Sequence, residues 1–525
     1  MKFNQGTSAK ARARIETHPD RTTNKEKGIA FSLNAKEELA QRVATCLVGE
    51  PKYYEKADET TNTIIALIHD VSLQDPEFVL KLASYARHYL NLRSVPIMLL
   101  GQAVTLKEAR AYVRKWTPDI IARADELCEI IAYLQGLLGD FGNHRKGGML
   151  PNCIKRGIAD TFGRFTEYQL QKYDSVGAGK VKLRDVLRLT HPKPKDKEQS
   201  ELWNRCKTRT MAIANTWESI TMVKGSTKDT WEEAAKVMPI MATLRNLRNL
   251  LEHNVDDKTI TLVCDRLADE KTIINSKQFP FRFYSAYKAL EGNTNLNSKM
   301  FMAALREAIN ISVENLPHLH GRTALFADIS GSMDAAISTK SQVLRSEIAC
   351  MMLAVANKIC SVAFTATFSD AVWPIELDPE DNILANTEKA AKSGISSATY
   401  THLCIDYLLN NNIKVDRILI FTDQQDYDQD THYSQQGQSL VASLYHYRAR
   451  LNPNCFFYSC DLADYNTTSV PRDDPRSSIM GGWSDRILEY VKAFETGGQE
   501  QIDAIQAVVP GQYKKKVATA EESGD

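Results

Sequence analysis

The stretch LFADISGSMD, which runs from Leu325 to Asp334, indicates the fold of the C-terminal part of the chain. An apolar segment ends at Asp328, and Ser330 and Ser332 then alternate with apolar residues and glycine. This pattern is typical of a buried strand that ends beside a ligand. The same residues also suit a plain helix start, with the serines as caps and Asp328 as a turn residue.

Further short β-rich runs follow in the C-terminal part: ICSVAFTATFS, DRILIFTDQQ and PNCFFYSCDLA. Helical stretches such as SQVLRSEIACMMLAVANK and SLVASLYHYRARL separate these runs. Alternation of strands and helices predicts an α/β fold with a doubly wound parallel sheet. Ligands of such sheets bind at the carboxyl ends of the strands, at the point where the strand order reverses.

Oxygen-bearing side chains gather at the predicted strand ends. Asp423 ends the run RILIFTD, and Thr399 and Thr401 in SSATYTHL precede a predicted helix. Carboxylate and hydroxyl oxygens suit Mg²⁺ better than zinc. Because one or two carboxylates leave part of the charge uncancelled, the ion would still accept a carboxylate or phosphate from outside.

From about residue 33 to residue 315, apolar residues recur at helical spacing, as in PEFVLKLASYARHYL and EEAAKVMPIMATLRNLRNLLEH. Amphipathic helices with short joints favour a helical repeat array, in which each pair buries its apolar face against the next. No strict period is visible, so the repeats would be degenerate and of HEAT type. A compact helical bundle is the alternative.

The charge is divided unevenly along the 525 residues, a length that suits two or three domains. Residues 1–320 carry 48 Lys and Arg against 38 Asp and Glu, a net of +10, and the remainder has a net of −10. The densest basic stretch, residues 143–197, holds 13 basic and 5 acidic residues. This asymmetry favours a polyanionic partner for the N-terminal half, with a solvated basic surface as the alternative.

Several classes of protein are disfavoured by composition. No apolar run approaches the 18 residues of a membrane-spanning helix, and residues 1–24 read as a flexible basic arm without the apolar core of a secretory signal. The ten cysteines form no C-x-x-C pair, which predicts reduced thiols in a cytoplasmic protein. Residues 511–525 are expected to be a disordered tail.

The segments KVKLRDVLRLTHPKP, MPIMATLRNLRNLLEH and KQFPFRFYSAYKAL resemble the TROVE module of the Ro autoantigen family. The strand-end aspartates and the SATYT loop resemble the metal-ion-dependent adhesion site of von Willebrand factor A domains. The joint resemblance covers about residues 25–510. It implies an N-terminal all-α ring of HEAT-like helical repeats (25–317) and a C-terminal α/β doubly wound von Willebrand A domain (318–510) that closes the ring.

The resemblance also assigns site residues. The implied Mg²⁺ site consists of Asp328, Ser330, Ser332, Thr399 and Asp423. The implied RNA contacts are Lys172, Arg188, His191 and Lys193, with Arg245 and Arg248 as further candidates. The family often has Gly after the last aspartate, where this chain has Gln424, and often a second basic residue after the K-Y pair, where this chain has DSV at 174–176.

For several of these residues a purely structural role is the alternative to an RNA contact. Arg245 and Arg248 lie three residues apart on one predicted helix face, where an ion pair between repeats is the alternative to an RNA contact. His191 precedes proline and is equally compatible with a packed histidine. Tyr85, Arg87 and His88 in SYARHYL are weaker candidates for the lining of the ring.

The implied function is that of a monomeric RNA-binding protein rather than an enzyme. Family members bind Y-type small noncoding RNA on the outer basic surface and single-stranded 3′ ends of misfolded RNAs in the ring, in RNA quality control. An exoribonuclease or an acidic protein ligand at the metal site is a further expected partner. One alternative is a metal-dependent interaction scaffold that binds no RNA. Another is a metal-dependent phosphoesterase, which the lack of a His or Glu base beside the two aspartates disfavours.

Overall fold

The structure is a computed structural model, and it describes residues 21–23, 29–45, 57–90, 92–139, 149–174, 181–211, 216–337, 343–426, 439–463, 467–470, 474, 476–481, 488, 491–492, 495 and 501–512. The chain divides into two compact units. One unit comprises Met1–Asn62 and Cys264–Gln501, and the other comprises Thr63–Val263 and Ile502–Asp525.

The described helices and strands, in chain order, are as follows. The helices are α1 (Ala35–Thr45), α2 (Ala57–Gln74), α3 (Phe78–His88), α4 (Ser94–Thr105), α5 (Arg110–Ile120), α6 (Ala124–Leu138), α7 (Asn152–Phe162), α8 (Glu167–Asp174), α9 (Leu183–Thr190), α10 (Lys197–Thr208), α11 (Trp217–Lys224), α12 (Lys228–Val237), α13 (Ile240–Glu252), α14 (Asp257–Ala268), α15 (Glu270–Ser276), α16 (Pro280–Leu290), α17 (Leu296–Ser312), α18 (Arg345–Ile359), α19 (Ile383–Ala391), α20 (His402–Asn410), α21 (Leu440–Arg450) and α22 (Gln501–Gln506). The strands are β1 (Arg21–Thr23), β2 (Ile29–Ser32), β3 (Leu319–Asp328), β4 (Cys360–Phe368), β5 (Val372–Pro374), β6 (Arg417–Thr422), β7 (Phe456–Asp461), β8 (Thr467–Thr468) and β9 (Ser477–Gly481).

The unit built around residues 63–263 is helical throughout its described part. Three of its described helices, α10, α11 and α12, begin at capping residues, as where the Asp196 side chain accepts a hydrogen bond from the Gln199 amide at the start of α10. Their apolar stripes are buried, and α5 and α7 approach so closely that a Cβ on Gly157 would lie 2.5 Å from Thr117 Oγ1. The helical half predicted from apolar spacing is confirmed.

The other unit contains a six-stranded sheet in the order β5-β4-β3-β6-β7-β9. All neighbouring strands are parallel except β5, which is an antiparallel edge. One face carries an apolar core with α20 and α21, which includes Phe326, Phe368 and Ile420. Helix α18 packs against β3, β4 and β6. The predicted doubly wound α/β fold is confirmed.

The strand order reverses between β3 and β6. The chain passes from β3 to β4 on one side and later enters β6 on the other side of β3. Ala327 in β3 is paired with Phe421 in β6, so the carboxyl ends of both strands lie at the same edge. Parallel sheets bind their ligands at such a reversal, so a ligand site is expected at this edge.

A second, small sheet in the same unit has the order β1-β2-β8. Strand β1 comprises the last residues of the segment that the sequence predicts as a flexible arm. This unit also includes residues 264–317. The sequence analysis assigns these residues to the helical domain, and the predicted domain boundaries remain predictions.

Two further observations concern the described residues as a whole. Every cysteine among them is a free thiol. No helix in this part of the chain is long and apolar enough to cross a membrane.

Candidate metal centre and nucleic-acid interface

The predicted metal ligands meet at the carboxyl edge of the sheet. Asp328 and Asp423 are fully buried at the ends of β3 and β6, and Ser330 and Ser332 are buried in the turn that follows β3. The Ser330 and Ser332 hydroxyl oxygens are 3.5 Å apart, and the Ser332 hydroxyl hydrogen-bonds to Asp423. Four of the five predicted donors therefore face one small polar volume.

The fifth donor, Thr399, lies in a loop that is attached to the same edge. The Gly331 amide donates a hydrogen bond to the Ser397 carbonyl at 3.0 Å, which holds the two loops together. Thr399 is buried within the loop, with 4% of its surface exposed. Within the described residues its hydroxyl makes no hydrogen bond to Asp328 or Asp423, so its role as a ligand stays a prediction.

The two serines do not act as helix caps. A short 3₁₀ turn at Gly331–Asp334 follows Ser330, and the Ser330 side chain makes no capping hydrogen bond to it. The Asp328 carboxylate instead accepts a hydrogen bond from the Ser330 amide at 2.8 Å. This geometry disfavours a capping role for the serines, because their hydroxyls bond to the two aspartates and not to helix amides, whereas the bond from the Ser330 amide also suits Asp328 as a turn residue.

The electrostatics of the edge favour a cation. Burial, followed by the nearby Asp423 carboxylate, raises the pKa of Asp328 to about 7, against hydrogen bonds from Ser330 and Thr422 that lower it. Burial also raises the pKa of Asp423, while the Ser332 hydroxyl lowers it. Two buried carboxylates that repel each other are stabilised by a positive charge between them.

One carboxylate oxygen of the predicted metal ligands has no hydrogen-bond partner among the described residues. Asp423 Oδ2 is buried and receives no hydrogen bond from any described residue. No group of three or more His, Cys, Asp and Glu side chains forms there, so the donor set is two carboxylates with hydroxyls. Such hard oxygen donors fit Mg²⁺ and leave coordination positions for water or an external carboxylate.

Gln424 takes the place of the glycine that follows the last aspartate in many A domains. Its backbone is left-handed, with φ of 59°, which explains why glycine suits this position. Its side-chain oxygen accepts hydrogen bonds from the Ser469 amide at 3.0 Å and the Ser469 hydroxyl at 3.2 Å. The glutamine therefore anchors the segment after β8.

Two residues of the site were missed by sequence reasoning. The Thr422 hydroxyl donates to Asp328 Oδ2 at 2.5 Å, and the Asp426 carboxylate accepts from the Thr401 amide at 2.8 Å. The sequence FTDQQD offered a signal for Asp426, since it places a second aspartate three residues after Asp423. Thr422 reaches Asp328 only through the pairing of β3 with β6.

The predicted RNA contacts lie on and after α8 and α9, both of which pack against α6. Arg188 is exposed in the last turn of α9, and His191 and Lys193 are exposed just beyond it. His191 caps α9 in a left-handed conformation, with φ of 49°, so it is not a packed histidine. Arg188 and Lys193 form no ion pair with any described residue, which leaves both charges available to an anion.

Lys172 lies beside two aromatic rings. Its ammonium nitrogen is 5.8 Å from the ring centroid of Tyr168 and 5.8 Å from that of Tyr173. Tyr168 is 51% exposed, so an aromatic face and a positive charge are presented together. Unpaired nucleobases stack on such rings while cations contact the phosphates.

The weaker candidates divide into two groups. Arg245 and Arg248 are exposed on α13 and have no ion pair within the described ranges, so the predicted alternative of a pair between repeats is absent there. Tyr85 is buried, Arg87 is 2.9 Å from Glu126, and a His88 ring nitrogen is 2.6 Å from the Asp119 carbonyl oxygen. These contacts hold the three side chains within the helical unit, and their place in the lining of a ring stays a prediction.

Comparison with known proteins identifies the family. The TROVE domain matches residues 32–211 and 199–323, and the Ro60 vWA domain matches residues 322–495. The chain belongs to the Ro family. This family consists of RNA-binding proteins, and the resemblance inferred from the sequence is confirmed.

Individual relatives of this Ro family chain are distant. It is 24% identical over 356 residues to telomerase protein component 1 of Rattus norvegicus. The aligned part makes up 53% of this chain and 13% of that protein. The Mus musculus protein of the same name is 25% identical over 334 residues, and the aligned part makes up 12% of that protein. The chain thus matches about an eighth of the length of these relatives.

A solved Ro structure supports the fold. The crystal structure of the Deinococcus radiodurans RO (RSR) protein aligns with a TM-score of 0.60 and 16% identity, and covers 89% of this chain and 100% of that chain. At this identity the likeness establishes the fold alone.

Proposed function

We propose that this protein is the protein component of a Ro ribonucleoprotein, acting as a cytoplasmic monomer in RNA quality control. It binds Y-type small noncoding RNA on the basic surface around α8 and α9, and it takes single-stranded 3′ ends of misfolded RNAs. The observation that carries the proposal is the exposure of Arg188, His191 and Lys193 without an ion-pair partner among the described residues. Structural cations are usually paired, whereas phosphate-binding cations must be available.

Binding on this surface follows from charge and stacking. Lys172, Arg188 and Lys193 would each neutralise a phosphate and release its counterions, which supplies most of the affinity. Tyr168, held beside Lys172, would stack on an unpaired base and tolerate any base identity. Affinity should therefore depend strongly on salt and weakly on sequence.

The departure from the family after the K-Y pair begins at Asp174. Burial raises the pKa of Asp174, and the positive charges of Arg209, Lys182 and Arg184 act in the opposite direction. Nearby cations thus offset its negative charge before any RNA arrives. Positions 175 and 176 lie outside the described residues.

The A domain would serve as a second binding site. Asp328, Ser330, Ser332, Thr399 and Asp423 would hold Mg²⁺, which supplies an open coordination position for a carboxylate of an acidic protein partner or an exoribonuclease. A catalytic role is not proposed, because the groups that contact Asp328 are the Ser330 amide and the Thr422 hydroxyl, neither of which is a general base. The same donor set favours the alternative function, a metal-dependent interaction scaffold without RNA.

Crosslinking in cells separates the two functions. The native protein and an Arg188→Ala/Lys193→Ala variant are crosslinked, and the attached RNA is sequenced. We expect small structured noncoding RNAs and RNAs with unpaired 3′ ends to be enriched on the native protein and depleted on the variant. Equal, background-level recovery from both would contradict RNA binding and favour the scaffold.

A further inference from the structure

Two histidines lie side by side at the start of the central strand β3. His318 immediately precedes β3, and His320 is the second residue of that strand. Both side chains are exposed, whereas Leu319 between them is buried, so the two imidazoles project from the same face. Their ring centroids are 5.0 Å apart. Because imidazole is the commonest metal ligand in proteins, two such rings side by side are a candidate chelate for a metal ion.

The spacing of the two rings fits a shared ion. A Zn–N bond of about 2.0 to 2.1 Å places the ion about 3.2 Å from the centroid of a ligating ring, so two rings on one tetrahedral ion have centroids about 5 Å apart. The observed separation of 5.0 Å agrees with this value. The ring planes of His318 and His320 are inclined by 71°, so the rings meet edge to face and do not stack.

Hydrogen bonding leaves nitrogen atoms available on both rings. His318 Nε2 lies 3.1 Å from the hydroxyl oxygen of Ser361 on β4. When Nε2 carries the proton and donates it to this oxygen, Nδ1 keeps its lone pair for a metal. Metal-ligating histidines usually make such a hydrogen bond with their second nitrogen, which fixes the tautomer and the ring orientation. His320 makes no hydrogen bond to a described residue, so its ring can turn toward an ion that His318 also binds.

The backbone that carries the pair is fixed by the sheet. Strand β3 is paired with β4 at Leu319 and again at Arg322, and it bulges between these two positions. Gly321 lies in the bulge with φ of 89°, a conformation that favours glycine. Asp416 Oδ2 accepts a hydrogen bond from the Arg322 amide at 2.7 Å. A ligand pair on a rigid backbone loses little conformational entropy when it binds an ion.

The histidine pair is separate from the predicted Mg²⁺ edge. Asp328 ends the same strand, and the separation from His320 along β3 is about 25 Å at 3.3 Å per residue. The two ends of the strand also differ in donor chemistry. Imidazole nitrogens suit Zn²⁺, Ni²⁺ and Cu²⁺, whereas carboxylate and hydroxyl oxygens suit Mg²⁺. The two sites should therefore select different ions.

We propose that His318 and His320 form a surface site for a divalent transition-metal ion, with Zn²⁺ as the expected occupant. Two imidazoles supply two of the four ligands that Zn²⁺ takes, and water or a donor atom from a second molecule completes the set. No third His, Cys, Asp or Glu joins the pair among the described residues. The site is thus open on its solvent side, and it depends neither on RNA binding nor on the Mg²⁺ assignment.

The test compares four forms of the full chain. These are the wild type, His318→Ala, His320→Ala and the control His69→Ala. The control removes one exposed imidazole from α2 and leaves the pair intact. Zn²⁺ is titrated into each form by calorimetry with Mg²⁺ in excess, so that the A-domain edge is not open to Zn²⁺. Zn²⁺ that binds elsewhere, for example to thiols, then contributes equally to all four forms.

We expect a Zn²⁺-binding event in wild type and in His69→Ala that becomes roughly tenfold or more weaker in His318→Ala and in His320→Ala, because each variant loses one of two linked ligands. Ser361→Ala should weaken it by about tenfold or less, since both ligands remain and only the support of the His318 ring is lost. All replaced side chains are exposed, so the melting temperatures without metal should match. Equal Zn²⁺ affinity in wild type, His318→Ala and His320→Ala would overturn the site.

A second measurement counts the nitrogens on the ion. Cu²⁺ binds nitrogen sites more tightly than Zn²⁺, and its electron paramagnetic resonance spectrum is split by each bound imidazole nitrogen. We expect two imidazole nitrogens per Cu²⁺ in wild type and in His69→Ala, and one or none in His320→Ala. The same nitrogen count in wild type and in His320→Ala would refute the shared ion and leave the two rings as an aromatic contact on the surface.

Discussion

The buried ion pair between Arg417 and Glu495 is expected to be a major support of the strand that presents Asp423. Arg417 begins β6, and its guanidinium makes two hydrogen bonds of 2.6 Å to the Glu495 carboxylate. A third hydrogen bond, of 2.8 Å, reaches the Thr323 hydroxyl on β3. The side chains of Arg417 and Glu495 are 6% and 18% exposed. The perturbation is Glu495→Ala, which leaves the buried guanidinium with Thr323 alone.

Removing one partner of a buried ion pair typically lowers the free energy of unfolding by about 3 to 5 kcal/mol. The partial exposure of Glu495 and the remaining bond to Thr323 place the expected loss near the lower end, at about 3 kcal/mol. Replacing both partners by apolar residues, as in Arg417→Met/Glu495→Leu, leaves no unpaired charge. That variant should cost about 1 kcal/mol or less, so the two substitutions are strongly non-additive.

Native-state hydrogen exchange of the β6 amides measures the loss of stability around this strand. A local measurement is needed because a chain of two compact units is not expected to unfold in a single step. A loss of about 3 kcal/mol predicts exchange on the order of a hundredfold faster in Glu495→Ala. The control is Arg114→Ala, which breaks the exposed ion pair with Asp160. It should change the hydrogen-exchange rate at its own site by about a few-fold at most. The reasoning is refuted if Glu495→Ala exchanges like wild type, or if the apolar double variant exchanges as fast as the single one.

Three further predictions concern the packing and the metal. Asp423→Ala should abolish Mg²⁺ binding measured by calorimetry while RNA affinity is kept; unchanged Mg²⁺ affinity would refute the metal assignment. Gln424→Ala should lower the free energy of unfolding by about 1 to 3 kcal/mol, because two hydrogen bonds to Ser469 are lost, yet leave Mg²⁺ affinity within a few-fold. Gly157→Ala should destabilise the helical unit by about 1 to 3 kcal/mol, because its Cβ would overlap Thr117, and urea denaturation followed by circular dichroism measures this.

The sequence was sufficient to predict the helical and α/β halves because both depend on local periodicity. It also placed Asp328 and Asp423 at the same edge of the sheet, since parallel strands end together and both aspartates follow apolar runs. The exposed state of both Arg188 and Lys193 could be expected, because Arg188 lies in the last turn of a helix and Lys193 lies beyond it between Pro192 and Pro194. These features need only short-range information.

Features that depend on long-range pairing could not be predicted. The hydrogen bond from Thr422 to Asp328 joins residues 94 positions apart and requires the register of β3 against β6. The pairing of β2 with β8 likewise links the N-terminal segment to a strand near the other end of the chain.

The central claim, that exposed cations around α8 and α9 bind RNA phosphates, is tested most directly by RNA affinity as a function of salt. The measurement uses wild type and Lys172→Ala/Lys193→Ala with a structured RNA and with a single-stranded RNA tail. The account predicts weaker binding of both RNAs by the variant, with the salt slope lower by about 0.7 to 0.9 for each lost phosphate contact and with sequence preference unchanged. An identical slope for wild type and variant would contradict it and return these residues to an ordinary solvated surface.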